Sequence, residues 1–122
     1  MKDFRDLKVW EKSHNLALLV YKHTQPFHEQ EVFGLTSQMR RAAVSIPSEI
    51  AKGCGRGGNV ELARFLSIAL GSASELEYLL LLCAELGFLN RVDYKELEVA
   101  TSEVKRMLAS LIAKIKAEHR KV

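Results

Sequence analysis

The 122-residue chain is 48% hydrophobic and 27% charged, with 18 Lys and Arg against 15 Asp and Glu, a net charge of +3. That is enough for one compact domain and too little for two of ordinary size, and the slight basic excess permits an anionic partner without requiring one. Seven Gly and two Pro do not punctuate the chain regularly, and runs of alternating Val, Ile and Thr are missing, so an all-α fold is expected. The polar start MKDFRDLK does not read as a signal peptide, and Cys54 and Cys83 lie far apart, which suggests reduced, buried thiols in a cytoplasmic protein. The most apolar stretch, Leu76 to Leu89, is interrupted by Glu77 and Glu85 and falls short of the roughly 20 apolar residues a bilayer demands, so no membrane partner is expected.

Four amphipathic segments follow in chain order, at about 7–24, 36–53, 59–86 and 92–117. The first turns Val9, Trp10, Leu16, Ala17 and Val20 inward and stops before Gln25-Pro26, because proline disfavours helical geometry in its predecessor. A loop, PFHEQEVFG, leads to the second, which starts near Leu35-Thr36-Ser37, where a hydroxyl can cap free amides. Its apolar positions Leu35, Met39, Ala42, Ala43, Ile46 and Ile50 recur every three or four residues. The third, opened by Asn59 as cap and closed by Gly87, carries Leu62, Leu66, Ala69, Ala73, Leu76, Leu80 and Cys83 on one stripe. The fourth begins around Asp93 and keeps Leu97, Ala100, Val104, Met107 or Leu108, Leu111 and Ile115 together, leaving Lys105, Lys114 and Lys116 in water and a fraying basic tail, EHRKV. Such helices bury their stripes best as an antiparallel up-down four-helix bundle.

Between the second and third segments lies Gly53-Cys54-Gly55-Arg56-Gly57-Gly58. A phosphate-binding P-loop would need a preceding strand and a Lys-Ser or Lys-Thr opening its helix, and both are missing, so these glycines reverse the chain. Pro47 gives no amide to the carbonyl of Ala43 and should bend the second helix. Stepping about 100° per residue from Met39 places Arg41, Ser45, Ser48 and Lys52 at roughly 180° to 240°, opposite the buried stripe. From Thr36 to Gly58 the cations Arg40, Arg41, Lys52 and Arg56 face only Glu49, whereas from Asn59 to Asn90 only Arg64 offsets Glu61, Glu75, Glu77 and Glu85. The basic ridge is either ordinary solvated surface or a set of phosphate contacts that acts through charge rather than base readout.

The third segment has an apolar surplus, since Tyr78-Leu79-Leu80-Leu81-Leu82-Cys83 is apolar all round. Opposite its core stripe lie Ser67, Gly71, Ser74, Tyr78 and Leu82, and a mid-helix glycine costs about 1 kcal/mol relative to alanine. Either long neighbouring side chains cover this face or a second subunit does; self-association is the favoured reading.

The stretches FRDLKVW (4–10), FGLTSQMRRAAVSIPSEIAKGCGR (33–56) and FLSIALGSASELEYLLLLCAELGFL (65–89) closely resemble the four-helix bundle family named for proteins encoded in 23S ribosomal RNA intervening sequences. Members more often read Asn-Ile-Ala-Glu-Gly where this chain has Glu49-Ile50-Ala51-Lys52-Gly53. The resemblance implies a bundle that assembles as a ring, commonly a pentamer, with no established enzymatic activity. A related branch resembles the accessory variability proteins of diversity-generating retroelements, basic pentamers that partner a reverse transcriptase and its template RNA.

Catalytic and metal chemistry find no support. His14, His23, His28 and His119 form no i, i+4 pair, and neither they nor the cysteines have zinc or di-iron spacing. Glu75 and Glu77 cannot share a helix face, and Ser45, Ser48, Ser67, Ser72 and Ser74 lack a nucleophile elbow. The expectation is a non-enzymatic, cofactor-free, homo-oligomeric scaffold. It would bind RNA, DNA or a nucleic-acid enzyme such as a reverse transcriptase through Arg40, Arg41, Lys52 and Arg56, and assemble through Ser67, Gly71, Ser74, Tyr78 and Leu82. The alternative is a purely structural assembly module.

Overall fold

Asp3 accepts the amide of Arg5 at 2.9 Å, which caps a single 3-10 turn, Phe4–Asp6. Four helices follow in the computed structural model, which describes residues 3–27 and 30–120: α1 (Lys8–Thr24), α2 (Gln30–Arg56), α3 (Asn59–Glu85) and α4 (Arg91–Arg120). Among the described residues there is no strand. The tail residues Lys121 and Val122, like His28 and Glu29 of the expected loop, lie outside them.

Each helix packs on two neighbours, α1 on α2 and α4, and α3 on α2 and α4, leaving α1–α3 and α2–α4 across the diagonals. Cross-helix contacts give the directions. Arg40 reaches Thr24, Ser45 meets Ser72, Lys105 meets Glu77, and Lys12 meets Glu103, while His23 meets Glu96. Lys12–Glu103 and His23–Glu96 run in opposite senses for α1–α4, as do Ser45–Ser72 and Gly53 against Phe65 for α2–α3, and short connections reverse the chain between α1 and α2 and between α3 and α4, so all four neighbours are antiparallel, as an up-down bundle requires.

The core consists largely of the expected stripes. Val9, Leu16, Ala17 and Val20 of α1, Met39, Ala42, Ala43, Ile46 and Ile50 of α2, and all seven stripe residues of α3 are buried. On α4, Leu97, Val104, Leu108 and Ile115 are buried, joined by the unexpected Thr101 and Ile112, whereas Ala100, Met107 and Leu111 are only partly covered. Trp10 is likewise partly covered, stacked on His14 at 4.9 Å. Ser13, Thr24 and Thr101 are buried polar residues whose hydroxyls donate to carbonyls one turn back, at 2.9, 2.7 and 2.7 Å, so each enters the core with its proton satisfied.

Helix ends depart from expectation in instructive ways. α2 starts at Gln30, not near Thr36, so residues 30–34 of the expected loop are helical and Thr36 sits inside the helix, 8% exposed, rather than capping it. Gly34 has open space around it and is tolerated as a mid-helix glycine. α2 also runs on through Pro47, Gly53 and Gly55. The reversal belongs to Gly57 and Gly58, whose φ angles of +74° and +90° are left-handed and suit glycine. Gly58, not Asn59, is the N-cap of α3, and it offers no side-chain bond. At the other end Gly87, with φ of +87°, donates to the carbonyl of Ala84 and Phe88 to that of Cys83, the paired bonds of a Schellman ending. Asn90 caps α4 by accepting the amide of Asp93 at 2.8 Å, and the helix carries on to Arg120 instead of fraying at EHR.

α3 also corrects the reading of its length. By length and composition Asn59–Glu85 is apolar enough to cross a membrane, because Ala, Gly and Ser extend the apolar run well upstream of Leu76. Its stripe is occupied in the bundle core, however, against α2 and α4. Cys83 lies within that stripe, and burial pushes its thiol up to about 11, so it stays protonated at neutral pH and acts as a small apolar group.

Two glycines make opposite demands. A Cβ at Gly53 would stand 2.9 Å from the Cβ of Phe65, whereas one at Gly71 would meet nothing within 4 Å. Gly53→Ala should therefore lower unfolding free energy by about 1–3 kcal/mol through overpacking, while Gly71→Ala should raise the stability of the isolated chain by up to about 1 kcal/mol through helix propensity. Urea denaturation of the two variants measures both.

Candidate nucleic-acid interface

The four expected cations of α2 do not form one ridge. At 1.5 Å per residue, Arg41 and Lys52 are about 16 Å apart along the axis, and different neighbours hold them. Arg40 is half-buried and leans on α1, its Nε donating to Thr24 Oγ1 at 2.9 Å and its guanidinium carbon 4.5 Å from the Tyr21 ring centroid. Thr24 can accept this bond because its own proton goes to Val20. Arg41 is exposed and reaches only Ser37 Oγ, at 3.2 Å.

Lys52 and Arg56, one turn apart, join Arg64 of α3 around Phe65, with cationic atoms 5.9, 5.3 and 4.5 Å from its ring centroid. Phe65 is 5% exposed, so the three charged groups roof a core aromatic. Two of them are already paired. Lys52 meets Glu49 Oε1 at 2.8 Å, and Arg64 donates to Glu61 Oε2 at 2.9 Å, a bond that holds the Glu61 carboxyl below its ordinary value and raises Arg64. Glu49 is nearly buried and its Oε2 has no hydrogen-bond partner, so Lys52 is its main compensation. Among the described residues Arg40, Arg41 and Arg56 have no carboxylate partner.

Ser45 is a correction: instead of facing water it meets Ser72 Oγ of α3 at 2.9 Å, because α3 packs closer round α2 than a projection of one helix indicates. Ser48 is exposed as expected. On α4, Lys105 is also partly covered and bonds Glu77 at 2.9 Å.

The outward face of α3 is as the sequence arranged it for Ser67, Gly71, Ser74 and Tyr78, all exposed, with Tyr78 at 60%. Leu82 is half-buried, and the other exposed large apolar residues of α3 are Val60, Ile68 and Leu81, at 61%, 42% and 41%.

Sequence reasoning missed the concavities between α3 and α4 and between α1 and α2. The larger, about 560 Å³, lies between the start of α3 and the end of α4, with Val60, Ala63 and Ile115 as floor and Arg64, Lys116, His119 and Arg120 among its walls. The other lies between α1 and α2, where Leu18 and Tyr21 are 57% and 45% exposed, off the stripe of α1. That departure from the stripe was readable; what α2 sets opposite them was not. Among the described residues no three His, Cys, Asp or Glu side chains converge as a metal site needs.

The model of the 23S rRNA-intervening sequence proteins matches residues 5–110, most of the chain. A crystal structure of a protein of unknown function from the S23 ribosomal protein family of Bacteroides thetaiotaomicron is 28% identical, with a TM-score of 0.77 over 85% of this chain and 97% of that one. No curated protein matches.

The contacts separate Arg40 from Arg41. Arg40→Ala should cost about 1–2 kcal/mol in urea denaturation, having lost both Thr24 and Tyr21, whereas Arg41→Ala should stay within about 0.5 kcal/mol of the parent.

Proposed function

The chain belongs to the 23S rRNA-intervening sequence protein family, and on that premise we propose that it is a non-enzymatic, self-associating cytoplasmic scaffold that binds RNA. The observation that carries this reading is that Arg40, Arg41 and Arg56 of one helix have no carboxylate partner among the described residues, Arg41 and Arg56 being exposed. Arginines so placed favour phosphate oxygens, and such contacts position a nucleic acid without reading its bases. An enzyme that handles RNA, such as a reverse transcriptase, is the partner such a scaffold would deliver it to.

Assembly supplies what one subunit lacks. A net charge of +3 is modest, but a ring, for which we propose a pentamer, repeats three arginines around an axis and gains avidity. The contact proposed for it is the outward face of α3, where Gly71 stands in open space and Tyr78 and Leu81 are uncovered. A mid-helix glycine with nothing near it lets a second backbone approach.

Light scattering should show several subunits for the parent and a monomer of unchanged helicity for Gly71→Leu or Tyr78→Arg. Fluorescence anisotropy with labelled RNA should show affinity falling with salt, with a logarithmic slope of roughly 0.7 per single-strand phosphate neutralised. The double change Arg41→Glu and Arg56→Glu breaks no ion pair and should abolish binding while oligomeric size holds. Unchanged affinity in that variant would overturn the RNA reading and leave a purely structural assembly module.

A further inference from the structure

Two shallow concavities meet between α1 and α2. Tyr21, Thr36, Ser37, Arg40 and Arg41 bound one, Trp10, His14, Leu18 and Pro47 help bound the other, and Tyr21 and Val44 belong to both. They form one groove that runs about 20 Å from Ser37 to Ala51 at the helical rise. Among the described residues no carboxylate lines it.

Its two ends differ. At the arginine end Arg41 is exposed, and Arg40 spends one of its five donors on Thr24. Thr36 lines this end, 8% exposed, with an Oγ1 that has no hydrogen-bond partner among the described residues. A buried hydroxyl without a partner costs free energy unless something supplies one, and a phosphate oxygen or ribose hydroxyl entering beside the arginines would. The other end is flat and apolar. Trp10 and His14 lie parallel within 6°, and Leu18, Tyr21 and Val44 are 57%, 45% and 41% exposed.

We infer that this groove takes single-stranded RNA, its phosphates at Arg40, Arg41 and Thr36 and its unpaired bases against Tyr21, Leu18 and the Trp10–His14 pair. The inference rests on the RNA reading above and narrows it. Cations that track phosphates beside aromatic surfaces that stack bases are what single-strand recognition needs, and a duplex, whose bases are already stacked, leaves the apolar end unused. The larger concavity between α3 and α4 has cations but no aromatic ring on its walls. Planar rings and a shallow floor suit planar bases better than the knobs of an acidic amphipathic helix, the other occupant of matching charge.

The chain has one tryptophan, so its fluorescence reports on this groove. Titration of the full-length protein with an oligouridylate should quench Trp10, and the single strand should bind more tightly than a duplex of the same length. Tyr21→Ala should weaken single-strand binding roughly 5- to 150-fold, the range of one lost base stack, and Leu18→Glu should weaken it by placing a hydrated carboxylate where a base would lie. Both positions are exposed, so circular dichroism should be unchanged. Single strand and duplex binding alike, with Trp10 unquenched and both variants unaffected, would overturn the groove and leave RNA binding elsewhere. Neither RNA form binding would overturn both. An acidic amphipathic peptide that quenches Trp10 where RNA does not would overturn the inference in favour of a protein partner.

Discussion

The close approach of α2 and α3 at Gly53 sets the rest of the molecule. With hydrogen in place of a side chain, the backbone of α2 comes against Leu62 and Phe65, at a distance where a Cβ would stand 2.9 Å from one and 3.1 Å from the other. Gly57 and Gly58 then reverse the chain in two residues, so α3 returns along the same line. Ser45 and Ser72 meet further along that seam, and Phe65 is drawn under the charges of Lys52, Arg56 and Arg64. Once α2 is rolled against α3 in this way, its opposite flank can face only α1 or water.

The apolar stripes were legible because burial in a bundle follows the helical period, and period is a property of one segment. Ser13, Thr24 and Thr101 escaped because a hydroxyl bonded to its own helix behaves as a small core group, a bond that residue type alone does not announce. The start of α2 escaped for a related reason. Pro26 and Gly34 both punctuate, but a glycine costs a helix only about 1 kcal/mol, which the rest of a 27-residue helix readily offsets.

For the candidate site, the residue types were legible and their grouping was not. A projection of α2 locates Arg41, Ser48 and Lys52 correctly as outward, yet it cannot say that Arg40 turns to Tyr21 or that Glu49 claims Lys52. Those outcomes depend on the neighbouring helix, whose register against α2 the sequence does not state. The division that results is chemical as well as spatial. At Phe65 the cations roof a buried ring and two are neutralised by carboxylates, whereas at Tyr21 two arginines border an exposed ring and a groove with no acid among its described lining residues. The first arrangement serves packing and leaves only Arg56 without a carboxylate, whereas the second leaves both of its arginines available.

The topology also keeps the two proposed contacts apart. α1 and α3 lie across a diagonal, so the outward face of α3 and the α1–α2 groove point to different sides of the bundle. A subunit docked against Gly71, Tyr78 and Leu81 would cover neither Tyr21 nor Arg41. Each added copy would then contribute one more open groove at a fixed spacing, and a strand held in one would be presented to the next at high effective concentration. Local binding can therefore be weak in such a scaffold while the assembly would hold RNA firmly, which is how so lightly charged a chain could serve the anionic partner proposed for it.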